Sequence, residues 1–343
     1  MNTIEQRIQK RAYELGYEKC GIISIDLMDG YAEKFNERIE KVPKSKFFYQ
    51  NQERLVNVKE IYPWAKSVVV LTAKYGKYKV PEELKGHIAK AYLFDTRIDQ
   101  ETKEYQNNRD LEKYMQELGL KVETNQKFGV VGMRWAALQA GLGIIRKNNF
   151  LYTENGSWVH LEAWVTDKEM ELKETNNVVK CPENCNRCRE ACPTKSLSAP
   201  FTMSPMECIS FLTTFGGRNL PQEPLSKAFG SCIYGCDICQ DACPMNKGKW
   251  KEEEEFPGLK ELASFLTPDN ILNMDEKFYI EKVQPKFFYV SPEDFWKWKV
   301  NVLNYMRNNY KEDYKKSIIA ACDNENSKIS EMANSICLEL SLK

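Results

Sequence analysis

The sequence has 343 residues, of which 42% are hydrophobic and 29% charged, a composition typical of soluble globular proteins with two or three domains. Its 49 basic and 49 acidic residues give a formal net charge of zero. This balance argues against a protein whose main task is to bind polyanions. The first twenty residues contain no apolar run, and no apolar stretch is long enough to span a bilayer. We therefore expect a cytoplasmic protein without a membrane segment.

Helices and strands alternate over residues 1–172, which predicts an α/β or α+β domain. The first helix begins at a capping box formed by Thr3 and Gln6. The later elements are predicted as strands at 21–25, 67–72, 120–123 and 158–166, and as helices at 109–118 and 130–139.

The remaining chain divides into two parts of different character. Residues 173–250 are rich in cysteine and proline and predict a compact metal-binding module. Residues 251–343 show helical periodicity at 296–310, 315–322 and 328–340, and the last two helices resemble one helical-repeat pair.

Nine of the 12 cysteines lie between Cys181 and Cys243, in two runs of identical spacing that each end in Cys-Pro. This pattern is typical of two [4Fe–4S] clusters with crossed ligation, in which the last cysteine of each run serves the other cluster. Two zinc sites are the alternative. Cys208 makes nine candidates for eight places, so either Cys208 or Cys232 is spare. The first run is Cys181, Cys185, Cys188 and Cys192, and the second is Cys232, Cys236, Cys239 and Cys243.

Several motifs together resemble the epoxyqueuosine reductases, which are related to the reductive dehalogenases. They are the segment 140–149 (AGLGIIRKNN), Gly156-Ser157-Trp158, the first cysteine run, 208–213 (CISFLT) and 233–240 (IYGCDICQ). The resemblance implies a nitroreductase-like α/β domain that binds cobalamin, followed by a two-cluster ferredoxin-like module and a helical, repeat-like C-terminal segment. It also implies that the clusters pass electrons to cobalt.

The resemblance further implies a role for each matching residue. It assigns Cys181, Cys185, Cys188 and Cys243 to the first cluster. It assigns Cys192, Cys208, Cys236 and Cys239 to a second cluster nearer the corrin, which leaves Cys232 spare. The residues that would line the cobalamin are Lys147, Asn148, Leu151, the 210–213 segment with Ser210 and Thr213, and Asp237.

Two segments depart from the family pattern. The aspartate that the family uses as a proton donor is matched here by Lys127, and residues 89–97 (AKAYLFDTR) do not match the family's segment. Lys127 is therefore a candidate catalytic residue, because a desolvated lysine can transfer protons near neutral pH. A solvated lysine without a catalytic role is the alternative. Other candidate donors are Tyr92, Tyr105 and Asp95.

The resemblance therefore implies a cobalamin-dependent reductase that acts on an epoxide or a carbon–heteroatom bond. Its partners would be a low-potential electron donor of the ferredoxin or flavodoxin type and a small-molecule substrate. The zero net charge does not favour tRNA, and the two departures leave epoxyqueuosine itself open as the substrate. The alternative is a two-cluster electron-transfer protein or reductive activator with no small-molecule substrate of its own.

Overall fold

The computed structural model describes residues 2–214 and 224–343. Its strands are β1 (Lys19–Ser24), β2 (Ser67–Lys74), β3 (Val122–Glu123), β4 (Ile144–Ile145), β5 (Leu151–Tyr152) and β6 (Val159–Thr166). In the described residues β1, β2, β6 and β3 form, in that order, an antiparallel sheet, while β4 and β5 form a separate ribbon.

α-Helices pack against the sheet and recur throughout the C-terminal half. They are α1 (Ile4–Glu14), α2 (Asp29–Lys41), α3 (Lys46–Gln50), α4 (Val58–Ile61), α5 (Lys90–Leu93), α6 (Lys103–Glu117), α7 (Met133–Gln139), α8 (Arg187–Ala191), α9 (Ile209–Leu212), α10 (Ile238–Asp241), α11 (Leu259–Ala263), α12 (Pro268–Asn273), α13 (Glu276–Phe278), α14 (Trp296–Asn308), α15 (Lys315–Ala321) and α16 (Ser327–Leu340). Across the described ranges, no helix combines the length and the apolar character that crossing a bilayer requires.

Strand β2 is buried on both of its faces, which explains the continuous apolar run at 67–72. Val68 and Val70 pack into one apolar cluster, which includes residues of α7. Val69 and Leu71 pack into another, which includes residues of α1 and α6. Because successive side chains of a strand point to opposite faces, a strand between two helical layers needs apolar residues at every position.

The predicted mixture of helices and strands is confirmed, with shifts at the ends of several elements. The capping box at Thr3 is present, since its side chain accepts from the N–H of Gln6 and its own N–H donates to the Gln6 side chain. Helix α6 begins at Lys103 rather than at 109, because Thr102 caps its first turn. Helix α7 begins at Met133, three residues later than predicted.

The C-terminal helices share one apolar cluster with the cysteine-rich segment and with part of the N-terminal half. The cluster extends from Tyr75 to Leu342. At its centre the ring of Tyr234 stacks on that of Trp298, with 4.7 Å between the ring centroids. The predicted boundaries at 172 and 250 thus fall within a continuous core among the described residues, and they remain predictions.

Gly141 occupies a position that only glycine can fill. Its φ is +77°, and an added Cβ would lie 1.9 Å from the backbone oxygen of Glu174. We expect Gly141→Ala to lower the free energy of unfolding by roughly 2–5 kcal/mol, because a left-handed alanine and a displaced backbone both cost energy. Anaerobic urea denaturation measures this loss.

Gly119 provides the matched control, since its φ is +78° but nothing lies within 4 Å of an added Cβ. Gly119→Ala should therefore cost only about 1–2 kcal/mol. Equal losses in the two variants would contradict the argument from close approach.

Candidate functional site

Four thiols line one small cavity in the cysteine-rich segment. Cys181, Cys185 and Cys188 reach it from the first run, and Cys243 reaches it from the second. Burial raises the pKa of Cys188, and the nearby thiols of Cys181 and Cys243 raise it further. Thiols gathered in this way from two runs suit one cluster with crossed ligation.

The second group of thiols contains Cys192, Cys208, Cys236 and Cys239. Burial raises the pKa of Cys239, and the other three thiols raise it further because they lie close to it. Cys208 precedes α9 directly, and burial raises the pKa of its thiol to about 11, although the backbone N–H groups of Phe211 and Ser210 oppose the rise. Nearby N–H groups favour the thiolate, which is the form that ligates iron.

Cys232 lies beside the second group. It is buried, and its nearby thiol, together with burial, raises the pKa of Cys236. Both residues line a cavity of about 230 Å³ together with Asp237 and Trp250. The assignment of Cys208 as a ligand and Cys232 as the spare cysteine remains a prediction.

Lys147 connects the segment that follows β4 to the loop of the first cysteine group. Its side chain is buried, and its Nζ donates to the backbone oxygens of Pro182, Glu183 and Cys185 at 2.9, 2.6 and 3.1 Å. The ammonium group therefore orders the loop that carries Cys185. Its role in lining cobalamin remains a prediction.

Asn148 makes the corresponding contact to the second group. Its Nδ2 donates to the backbone oxygen of Cys239 at 3.2 Å and to the hydroxyl of Tyr152 at 2.9 Å. Leu151, also predicted to line cobalamin, is buried in β5. Neighbouring residues after β4 thus hold both cysteine loops against the ribbon.

The other residues predicted to line cobalamin have polar partners within the protein. Ser210 Oγ lies 3.0 Å from the hydroxyl of Tyr92, Thr213 Oγ1 donates to the backbone oxygen of Ile209 at 2.7 Å, and Asp237 Oδ2 accepts from the backbone N–H of Lys90 at 2.8 Å. Burial raises the pKa of Asp237 to about 6, although Lys90 opposes the rise.

A cavity of about 740 Å³ lies between the sheet domain and the cysteine-rich segment. The wall contains one cysteine, Cys181, which belongs to the first group. The resemblance, by contrast, implies that the second cluster lies nearer the corrin. The apolar part of the wall includes Val131, Met133, Trp135, Leu138, Ile144, Ile145, Leu161 and Phe201. The charged part has seven basic residues and one acidic residue: Lys34, Arg38, Lys41, Arg134, Arg146, Lys147, Lys180 and Glu37.

The basic wall was not recognised from the sequence, although one signal was available. Lys34, Arg38 and Lys41 are spaced four and three residues apart in α2 and so share one face of the helix. The buried Nε of Arg146 has no hydrogen-bond partner among the described residues. The cavity therefore offers positive charge and unused hydrogen-bonding capacity to an anionic group.

Lys127 lies next to this cavity rather than in its wall. Its Nζ is 4.8 Å from the centroid of the Phe288 ring and 5.5 Å from that of Phe128, and Phe128 lines the cavity. Its backbone oxygen accepts from Arg97. The structure thus places the candidate catalytic lysine at an aromatic edge of the cavity.

The alternative donors differ in protonation. Burial acts to raise the pKa of Asp95, but the guanidinium of Arg97 outweighs it, so the pKa stays below its usual value and Asp95 carries a negative charge. Burial raises the pKa of Tyr92, so its hydroxyl keeps its proton near neutral pH. Tyr105 lies on α6, with the guanidinium carbon of Arg109 6.0 Å from its ring centroid. Of the three, Tyr92 is also hydrogen-bonded to a predicted cobalamin residue, Ser210.

Comparison with known proteins bears on both the cysteine module and the whole chain. Residues 180–246 match the family described as a 4Fe-4S double cluster binding domain. The chain is 27% identical to the epoxyqueuosine reductase of Cellulophaga algicola, in an alignment covering 78% of this chain and 89% of that protein. It is 29% identical to the epoxyqueuosine reductase of Cyclobacterium marinum, covering 75% and 84%.

Solved structures show the same fold. The epoxyqueuosine reductase of Streptococcus thermophilus matches with a TM-score of 0.80 and 23% identity, covering 99% of this chain and 91% of that one. An epoxyqueuosine reductase solved with an epoxyqueuosine-modified tRNA-Tyr stem loop matches with a TM-score of 0.74 and 21% identity, covering 97% and 89%. The predicted resemblance is thus confirmed, as is the prediction of an iron–sulfur oxidoreductase with two 4Fe-4S clusters.

Crossed ligation can be tested with paired cysteine variants. If Cys185 and Cys243 hold the same cluster, the double variant Cys185→Ala/Cys243→Ala should keep one cluster and about four of about eight irons per chain. Cys236→Ala/Cys243→Ala should lose both clusters. Iron content after anaerobic purification distinguishes the two variants, and the reverse pattern would contradict crossed ligation.

Proposed function

We propose that this protein is a cobalamin-dependent reductase in which two 4Fe-4S clusters deliver electrons to a corrin bound between the sheet domain and the cysteine module. The observation that most directly supports this proposal is the cavity of about 740 Å³, whose wall includes Cys181 of the first thiol group. Its volume lies within the range of roughly 300–1,000 Å³ found for small-molecule and cofactor sites. The proposed reaction is the reduction of an epoxide or a carbon–heteroatom bond.

The residues around the cavity suit such a group chemically. Trp135, Ile144 and the other apolar residues of the wall can pack against a ring face, and the unpartnered Nε of Arg146 can donate to an anionic or amide substituent. Lys147 lines this cavity and is proposed as a further holding residue, whereas Asn148, Leu151, the 210–213 segment and Asp237, which the resemblance also assigns to cobalamin, lie outside its wall. When bound, cobalamin supplies a strongly reducing cobalt centre, while the protein excludes water and positions the substrate.

Cobalamin binding tests this proposal directly. Protein purified anaerobically should contain about eight irons and bind about one cobalamin per chain, as measured by metal analysis and absorbance. Arg146→Met should weaken cobalamin binding about tenfold, because it removes a buried donor. Lys113→Met, in α6 and outside this cavity, is the control. A protein with full iron content and no cobalamin binding would instead indicate the electron-transfer alternative.

The basic wall of the cavity favours an anionic substrate such as tRNA. The net charge of zero is an average over the chain, whereas the cavity wall has seven basic residues against one acidic residue. A structural relative was solved with a tRNA stem loop bound. We therefore propose an epoxide carried on tRNA as the first substrate to test, despite the departures at 89–97 and 127–134.

Protonation of the product requires an acid near the cavity. Lys127 and Tyr92 are the two proposed donors, the first at the cavity edge and the second buried with its proton retained. Whichever residue donates the proton, its loss should lower the turnover rate by about 10²-fold or more.

Turnover of the cobalamin-loaded enzyme on epoxyqueuosine-containing tRNA, with a low-potential reductant, tests substrate and donor together. We expect either Lys127→Met or Tyr92→Phe to show the large loss, and Tyr105→Phe to behave as the unaltered protein. Turnover only with a small epoxide would rule out tRNA as the substrate. Normal turnover in both variants would show that neither residue is the donor.

A further inference from the structure

Two arginine side chains bind the backbone oxygens of three consecutive residues at the edge of the cavity. Arg97 donates from Nη1 to the oxygen of Lys127 at 2.8 Å. Arg54 donates from Nη2 to the oxygen of Phe128 at 2.9 Å and from Nη1 to the oxygen of Gly129 at 2.6 Å. The turn that carries Lys127 is thus held by two separate segments of the chain.

The turn also has hydrogen bonds of its own. The N–H of Phe128 donates to Asn125 Oδ1 at 2.9 Å, and the N–H of Gly129 donates to the backbone oxygen of Asn125 at 2.6 Å. Gly129 has a φ of +75°, a left-handed conformation that glycine adopts without strain. These bonds set the shape of the turn, and the two arginines fix where it lies.

Arg97 is itself fixed by buried partners. Its Nε donates to the two carboxylate oxygens of Asp95 at 2.9 and 3.2 Å, and its Nη2 donates to the hydroxyl of Tyr289 at 2.8 Å. The side chain of Asp95 is 2% exposed. Because a guanidinium is planar and rigid, bonds at several of its N–H groups leave it one orientation. Arg97 therefore presents Nη1 to Lys127 in a defined direction.

The turn connects the two segments that depart from the family pattern. Arg97 ends the 89–97 segment, and Lys127 begins the 127–134 segment. Their hydrogen bond shows that the two departures meet in the structure. Phe128 lines the cavity, whereas Arg54 and Arg97 are not among the described residues of its wall. The arginines can therefore act on the cavity only through the turn.

We propose that Arg97 and Arg54 are positioning residues that hold the 127–129 backbone and thereby keep the ammonium group of Lys127 at the cavity edge, where it protonates the product. This rests on the proposed function and selects Lys127 as the proton donor. A lysine side chain is long and flexible, so its ammonium group reaches a reproducible position only when the backbone beneath it is fixed.

Hydrogen–deuterium exchange of the anaerobic holoprotein without cobalamin tests the contact itself. Arg97→Lys keeps a positive charge beside Asp95, but a compact ammonium group does not reproduce the fork that also binds Lys127. We expect the amides of Phe128 and Gly129 to exchange about tenfold faster, because the turn opens more readily. Arg54→Met should act in the same direction while leaving the buried Asp95–Arg97 pair intact.

Arg109→Lys is the matched control for exchange. The guanidinium of Arg109 is paired with Glu112 within α6, at 3.1 Å, so its loss removes an ion pair away from the turn. The exchange of Phe128 and Gly129 should stay unchanged in this variant.

Turnover of the cobalamin-loaded enzyme on epoxyqueuosine-containing tRNA separates positioning from general stabilisation. Arg54→Met, which introduces no new amine, should lower kcat about tenfold and leave KM and cobalamin affinity unchanged. In a Lys127→Met background the same substitution should cause no further loss, because no ammonium group is left to position.

Several results would overturn the proposal. They are unchanged exchange in both Arg97→Lys and Arg54→Met, additive losses of kcat in Arg54→Met/Lys127→Met, and normal turnover in Lys127→Met. Absence of cobalamin binding or of any turnover would instead contradict the proposed function. The exchange measurement would then still decide whether the two arginines hold the turn, since it uses protein without cobalamin.

Discussion

The arrangement of the site depends on the hydrogen bonds that the buried ammonium group of Lys147 donates. It satisfies three backbone oxygens of one cysteine loop, and it extends from the segment that follows β4. A buried cation is stable only when its donors are matched, and the loop oxygens would lose their partners without it. The same contact fixes how far the first thiol group lies from the sheet domain, and hence the width of the cavity between them.

Local sequence information was sufficient for the elements whose pattern repeats along the chain. The apolar run of β2, the periodicity of α14 and α16, and the spacing of the two cysteine runs all lie within short windows, and the structure agrees with them. The start of α6 was predicted less accurately, because it depends on the cap at Thr102, and α7 begins three residues later than predicted.

The parts that could not be predicted depend on residues that are distant in the chain. Arg97 is hydrogen-bonded to Asp95, to the backbone oxygen of Lys127 and to the hydroxyl of Tyr289. Tyr289 is 192 positions away in the sequence, and no local pattern predicts a contact over that separation. The basic cavity is similar, since its charges come from α2, α7 and the segments near 146 and 180. A net charge of zero gives no information about such a distribution, because it sums the charges of all residues regardless of where they lie in the fold.

The apolar cluster that extends from Tyr75 to Leu342 imposes an order on biosynthesis. Both cysteine runs leave the ribosome before α14, α15 and α16 exist, and those helices complete the core against which Cys232 and Tyr234 pack. At about 5–20 residues per second, translation leaves an interval of seconds in which the loops are made but not enclosed. The loops that carry the thiols are therefore more accessible in the nascent chain than after the C-terminal helices have closed the core.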